Sequence, residues 1–414
     1  MSHQPPTHSD PRPDGSPLRH TQTPLARLKR DWLAWAIAST VITAGVGSAL
    51  WAKLDATFAL RWFGLALPVL AYVLFFARRR LPANHPHGHE MLLPSLGPGN
   101  RLTMLRGVLI AFLAGFAINP RLWGALAWAP MVLYTLSDVC DYFDGYLARR
   151  AHHQTRLGEE LDIEFDALGL LVAVVVAVNY GALPAWSLLI GISRYAYLIG
   201  GWIVRVRGRS LQSLPPSVSR RPIAGLTMGF TSAVLWPILP ARLTHVAAYI
   251  FAVPISFSFI RDWLVVSGAL DPDLPGYTRL RTSAKRWLMH WLPLALRLIT
   301  LGAGLTLIIK QMRDPQQFAA GFPSIGLPAS AGLVTGFVVL EALSLLSIGL
   351  GAAGRVGAFV LLFPLGLTLA AQSPTPTTTL LLVGTLLTLI FGTGAFSLAK
   401  PEERVFGRRA GESP

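Results

Sequence analysis

The feature that most constrains this chain is a series of long apolar runs recurring from residue 32 to residue 398. Each holds about 18 residues or more, enough to cross about 30 Å of hydrocarbon as an α-helix. Backbone groups in lipid have no water to bind, so each segment must satisfy its own hydrogen bonds. The sequence therefore predicts an all-α fold, a polytopic integral membrane helical bundle. Composition agrees, because 52% hydrophobic and 14% charged residues exclude an ordinary soluble domain.

Twelve spans are expected, near 32–51, 57–77, 101–118, 122–143, 159–180, 183–204, 222–239, 243–267, 288–309, 327–349, 354–371 and 378–398. Loop charges test that count, since short cytoplasmic loops gather Lys and Arg. Loops with Arg78 to Arg80, Arg149 to Arg156, Arg205 to Arg221, Arg279 to Arg286 and Lys400 to Arg409 alternate with loops carrying few such residues or none. Both termini then lie in the cytoplasm of a cell (cytoplasmic) membrane protein. The net charge of +15 is spent on this orientation, so no nucleic-acid partner is expected. Residues 1–30, rich in Pro, His and Ser, read as a disordered cytoplasmic tail. The single cysteine, Cys140, excludes an internal disulfide and reads as packing.

The stretch DVCDYFDGYLARR (Asp138 to Arg150) stands where one apolar run meets the cytoplasmic side. Residues three or four apart share a helix face, so Asp141 pairs with Asp144, and on the next helix Asp162 pairs with Asp166. Folded together, the two helices gather four carboxylates that repel one another unless cations sit among them. All-oxygen ligands suit hard divalent ions, Mg²⁺ first and Mn²⁺ as the alternative. Two such ions can hold the attacking and leaving oxygens of a phosphorus transfer. Gly145 and Ala148 leave no bulk against a ligand, and Arg149 suits a phosphate. Asp138, one turn deeper, reads as an additional acid able to tune the site or pair with a base.

The segment resembles, position for position, the DxxDGxxARx8Gx3Dx3D signature of the CDP-alcohol phosphatidyltransferase family, through Asp141, Asp144, Gly145, Ala148, Arg149, Gly158, Asp162 and Asp166. Upstream, NRLTMLR is similar to the family's Asn-x-x-Thr-x-x-Arg opening and supplies Asn100, Thr103 and Arg106. The resemblance covers residues 97–268 and implies a six-helix core. It implies that Asp141, Asp144 and Asp162 hold the metals, with Asp166 a shared ligand and general base. Asn100, Thr103, Gly145, Ala148, Arg149 and Gly158 would lie along the CDP group. The implied reaction is attack by an alcohol on the lipid-side phosphorus of a CDP-linked lipid such as CDP-diacylglycerol, with release of CMP. Partners would be that lipid, a small alcohol and membrane lipids, with a homodimer by family habit.

Arg194 inside the run LLIGISRYAYLIGGW is a costly intramembrane cation, and Arg220 follows in a basic cluster. Both are candidates for the phosphate of a phosphorylated acceptor such as glycerol 3-phosphate or inositol phosphate. Arg205 to Arg209 fit anionic lipid instead. Alternative readings are a CDP-choline or CDP-ethanolamine type transferase using a lipid alcohol, and a transporter or scaffold whose acids line an ion path.

Outside the core, residues 31–96 hold two extra spans and a cytoplasmic loop whose His85, His87 and His89 read as a flexible polar segment with weak metal affinity at most. Residues 269–287 read as a linker. Residues 288–414 look somewhat like small four-helix DoxX-type membrane proteins. Arg297 and Glu341 are expected there at similar depth, as a buried ion pair.

Overall fold

A computed structural model of the chain describes residues 23–89, 91–208, 211–212, 220–237, 239–271, 274–287 and 291–399. The described residues form helices and no strand, apart from one isolated bridge between Ala352 and Ala399. In chain order the helices are α1 (Pro24–Lys53), α2 (Ala56–Arg80), α3 (Gly97–Ala114), α4 (Ala129–Arg150), α5 (Arg156–Asn179), α6 (Leu188–Val206) and α7 (Arg220–Val234). There follow α8 (Ala241–Val266), α9 (Pro275–Arg286), α10 (Leu292–Arg313), α11 (Pro315–Ala319), α12 (Ala331–Leu350), α13 (Gly354–Ala371) and α14 (Pro376–Phe391).

Seven of these are long and apolar enough to cross a membrane: α1, α2 with its short extension to Ala83, α6 with a preceding turn, α8, α10, α12 and α13. This is an integral membrane protein. The helices α3, α4 and α5 fall outside that set, and they bear the Asn, Arg and Asp residues singled out above.

Local chemistry sets the ends. Asp55 caps α2 by accepting from the Phe58 amide at 2.7 Å, and Thr155 caps α5 by accepting from Gly158 at 3.2 Å. Arg78 to Arg80 fill the last turn of α2 and Arg149 and Arg150 that of α4, where cations complement the helix dipole. Gly351, at φ +62°, stops α12 in the left-handed region.

Three expectations shift. The span expected at 122–143 is instead α4 at Ala129–Arg150, because residues Gly124–Trp128 form a 3₁₀ turn and the acidic stretch continues as helix beyond the apolar run. Hydropathy marks where a helix leaves lipid, and helices do not end there. The expected tail of residues 1–30 gives way at Pro24, where proline opens α1 and Leu28 packs fully buried into the core; residues 1–22 lie outside the described residues. The expected linker contains α9, again opened by a proline.

Two packed regions result. In the first, Trp62, Phe165, Leu157 and Leu161 are fully buried, and α3 lies against α2, α4 and α5. In the second, α10, α12, α13 and α14 pack around Leu361, Leu365 and Ile348. Arg297 and Glu341 do not meet there. Arg297 donates to the Thr393 carbonyl at 3.3 Å and lies 3.4 Å from Ser397, whereas Glu341 accepts from Gln311 at 3.3 Å. Fourteen residues separate Arg297 from Gln311 on one helix, about 21 Å of rise, so the two charges sit at different depths.

Candidate active site

The site is built where α3, α4 and α5 converge. Asp141 and Asp144 project from α4 and Asp162 from α5, and a carboxylate oxygen of each lies within 4.8 Å of the others. Asp166, one turn further along α5, is engaged through Oδ1 by Arg106. Two helices thus present acids to a common space, as the spacing predicts.

The centre of the arrangement is Arg106 on α3. Its side chain is 3% exposed and donates from Nη1 to Asp141 at 2.6 Å and to Asp162 at 3.0 Å, while Nη2 reaches Asp166. Charge-assisted bonds of this kind fix geometry as well as charge. Thr103, one turn earlier, donates to Asp144 Oδ2 at 2.8 Å. Each acid is therefore oriented by α3, which is why the Thr and Arg of NRLTMLR stand three apart. Arg106 emerges as a site residue that the acidic motif alone did not single out; its signal was a cation placed one turn after Thr103.

One guanidinium against four carboxylates leaves the group strongly acidic, and the donors are all oxygen. Asp141, Asp144 and Asp162 fit a hard divalent cation on both counts.

The small residues of the signature have packing reasons. A Cβ on Gly99 of α3 would stand 2.9 Å from both the Ala148 Cβ and the Asp144 carbonyl oxygen, so α3 and α4 cross in near contact there. A Cβ on Gly158 would stand 2.5 Å from Asn100 Oδ1. Asn100 is buried and donates to Thr155 at 3.1 Å and to Asn84 Oδ1 at 3.2 Å, tying the α2–α3 loop to the start of α5. Gly145 and Arg149 lie together on the exposed rim, where a Cβ on Gly145 would be 3.2 Å from Arg149 Nη1.

The other candidates fall outside this cluster. Asp138 accepts from Ser232 of α7 at 2.8 Å and makes no ion pair among the described residues. Arg194 of α6 is half-buried with Nε lacking a partner, and the side chain of Arg220 lies outside the described residues. His87 contacts Glu159 at 3.2 Å on the surface, and the histidine loop forms no metal cluster among the described residues. Sequence reading also missed Glu164, buried on the far face of α5, which accepts from Tyr72 at 2.7 Å and from Tyr195 at 3.4 Å.

In the loop between α4 and α5, His153 packs over Gly97, whose φ of +74° needs glycine. Burial pushes the His153 imidazole below its ordinary value, and hydrogen bonds with the Ser95 and Leu96 backbone act in the opposite direction. Its Nε2 is buried without a partner.

Against known proteins, residues 98–260 match the CDP-alcohol phosphatidyltransferase family. This chain contains a CDP-alcohol phosphatidyltransferase domain. Over 105 residues, 23% of the chain and 54% of the relative, it is 30% identical to a CDP-diacylglycerol--glycerol-3-phosphate 3-phosphatidyltransferase of Bacillus subtilis. A protein of the same name from Salmonella choleraesuis is 37% identical over 82 residues, 19% of the chain and 42% of the relative. A Mycobacterium bovis protein named as a candidate cardiolipin synthase is 29% identical over 137 residues, 33% of the chain and 63% of the relative. The chain thus spans about half the length of the curated relatives it matches. No solved structure matches. The domain ends before α9, so the C-terminal helices lie outside the matched family.

Proposed function

We propose that this chain transfers a phosphatidyl group from CDP-diacylglycerol to an alcohol and releases CMP. The observation that carries the proposal is the meeting of Asp141, Asp144 and Asp162 from two neighbouring helices inside the matched domain. In this reading Asp141, Asp144 and Asp162 would hold divalent ions, Mg²⁺ or Mn²⁺, with Asp166 a shared ligand and the general base. When bound, those ions offset the negative charge of the pyrophosphate.

The residues of the chain do the rest. Thr103 and Arg106 hold the carboxylates in one orientation, so little reorganisation is needed when charge develops. Arg106 takes Oδ1 of Asp166, leaving Oδ2 to accept the hydroxyl proton of the alcohol. The alcohol oxygen bonds to the lipid-side phosphorus, the bond from that phosphorus to the bridging oxygen breaks, and CMP leaves with the electron pair. Asn100, Thr103, Gly145, Ala148, Arg149 and Gly158 border the path assigned to the CDP group.

The acceptor we favour is glycerol 3-phosphate, with inositol phosphate the related choice, because two relatives carry glycerol 3-phosphate in their names and Arg194 offers a buried Nε without a partner. Arg220 joins it in this proposal. The candidate cardiolipin synthase supports a second reading, in which a lipid glycerol is the acceptor. Residues 97–268 are read as the catalytic core of a twelve-span protein with both ends and the site on the cytoplasmic side. Purified protein supplied with CDP-diacylglycerol and Mg²⁺ should release CMP when glycerol 3-phosphate is added. Absence of CMP with every alcohol tried would remove the proposal.

A further inference from the structure

The C-terminal helices contain polar chemistry that the transferase reading does not use. Glu341 lies in the middle of α12 and is 1% exposed, Gln311 of α10 is 0% exposed and Ser344, one turn along α12, is 3% exposed. Gln311 Nε2 donates to Glu341 Oε1 at 3.3 Å, which fixes the pair face to face. The remaining oxygens, Glu341 Oε2, Gln311 Oε1 and Ser344 Oγ, are all buried without a partner. Orphaned oxygens inside a membrane bundle are costly, and an ionisable residue at such a place usually serves a ligand.

We propose that Glu341, Gln311 and Ser344 form a binding site for a single positive charge, Na⁺ or H⁺, within the C-terminal four-helix module. Three features select that class. The free atoms are all oxygens with lone pairs, which call for a hard cation or a proton. One carboxylate is neutralised by one unit charge, whereas a divalent ion would leave a net charge in low dielectric. The neighbouring cations are committed elsewhere: Arg297 is bound at Thr393 and Ser397, and Lys310 and Arg313 are exposed. Arg355 opens α13, fourteen residues on from Glu341, and is engaged there. The described residues of α11 and α14 add no titratable side chain.

The full-length purified protein tests this. Thermal unfolding is followed while NaCl replaces choline chloride at fixed ionic strength, alongside infrared spectra of the carboxylic acid band. A Na⁺ site predicts a saturable rise in the unfolding midpoint with NaCl that E341Q abolishes. S344A, which keeps the charge and the fold, should weaken the apparent Na⁺ affinity about tenfold while CMP release stays unchanged. A proton site predicts no Na⁺ response but a carboxylic acid band that is present in the wild type, absent in E341Q and moved in S344A. A protein showing neither the Na⁺ response nor an E341Q-sensitive band overturns the inference. Because CMP release is read separately, its failure leaves the transferase proposal standing.

Discussion

Arg106 of α3 and Asp141 of α4 are joined at 2.6 Å, and the same guanidinium reaches Asp162 and Asp166 on α5, so one buried cation ties together both acidic pairs. Removing it leaves the carboxylates facing one another. R106A should cost about 3 kcal/mol of stability, the lower end for a broken buried pair because the three acids are 29% to 43% exposed. Added Mg²⁺ should raise the unfolding midpoint of R106A more than that of the wild type, since it restores the missing charge. Equal shifts in the two proteins would contradict a divalent site at this place.

The proposed roles of the acids separate in kinetics. D141N should lower the apparent affinity for Mg²⁺ in CMP release and be partly recovered by excess metal. D166N should lose about 10²- to 10⁴-fold in turnover, the usual share of a general base, and excess Mg²⁺ should not restore the rate. A D166N protein at wild-type rate would remove the base assignment.

Much of this was legible in the sequence, for physical reasons that differ by residue. Asp141, Asp144 and Asp162 could be placed together because helical periodicity fixes which residues share a face, whatever the rest of the fold does. The helix α4 lies seven residues further along at each end than the apolar run predicts, because hydropathy reports burial in lipid, while the backbone of Asp144 to Arg150 continues in its own hydrogen bonds. Glu164 escaped notice because nothing near it in sequence bonds it; Tyr72 stands 92 residues away. The Arg297–Glu341 pairing fails for the same reason, since the register of two helices depends on the connection 314–330, a short helix and a 3₁₀ turn that periodicity does not describe.

His153 gives the fold a pH dependence of known sign. Its folded value lies below the ordinary 6.5 of the unfolded chain, chiefly through burial. As pH falls through the window between 6.5 and the folded value, the unfolded chain binds more protons and stability drops; above that window the residue has no effect. The unfolding midpoint, followed from about pH 8 to about pH 5, should fall on the acid side, and H153Q should flatten that part of the curve. An identical acid limb in H153Q would show that other groups govern it.

The crossing of α3 and α4 can be tested with glycines. G99V places atoms where only 2.9 Å is available to the Ala148 Cβ and the Asp144 carbonyl. Overpacking of this kind costs about 1 to 3 kcal/mol and should also draw Thr103 away from Asp144, so CMP release should fall by more than stability alone explains. G64A is the control: nothing lies within 4 Å of its added methyl, and helix propensity predicts a neutral or slightly stabilising change. The pair is read by thermal unfolding together with initial rates.

Arg194 decides between the two acceptors. If its guanidinium receives the phosphate of glycerol 3-phosphate, R194Q loses a charge-assisted contact made equally in ground and transition states, so the KM for that acceptor should rise about tenfold or more while kcat changes little. An acceptor lacking that phosphate monoester should be affected far less by the same substitution. If R194Q instead lowers turnover alike with both acceptors, Arg194 is holding α6 in place, and the phosphate-binding role passes to the basic residues that follow.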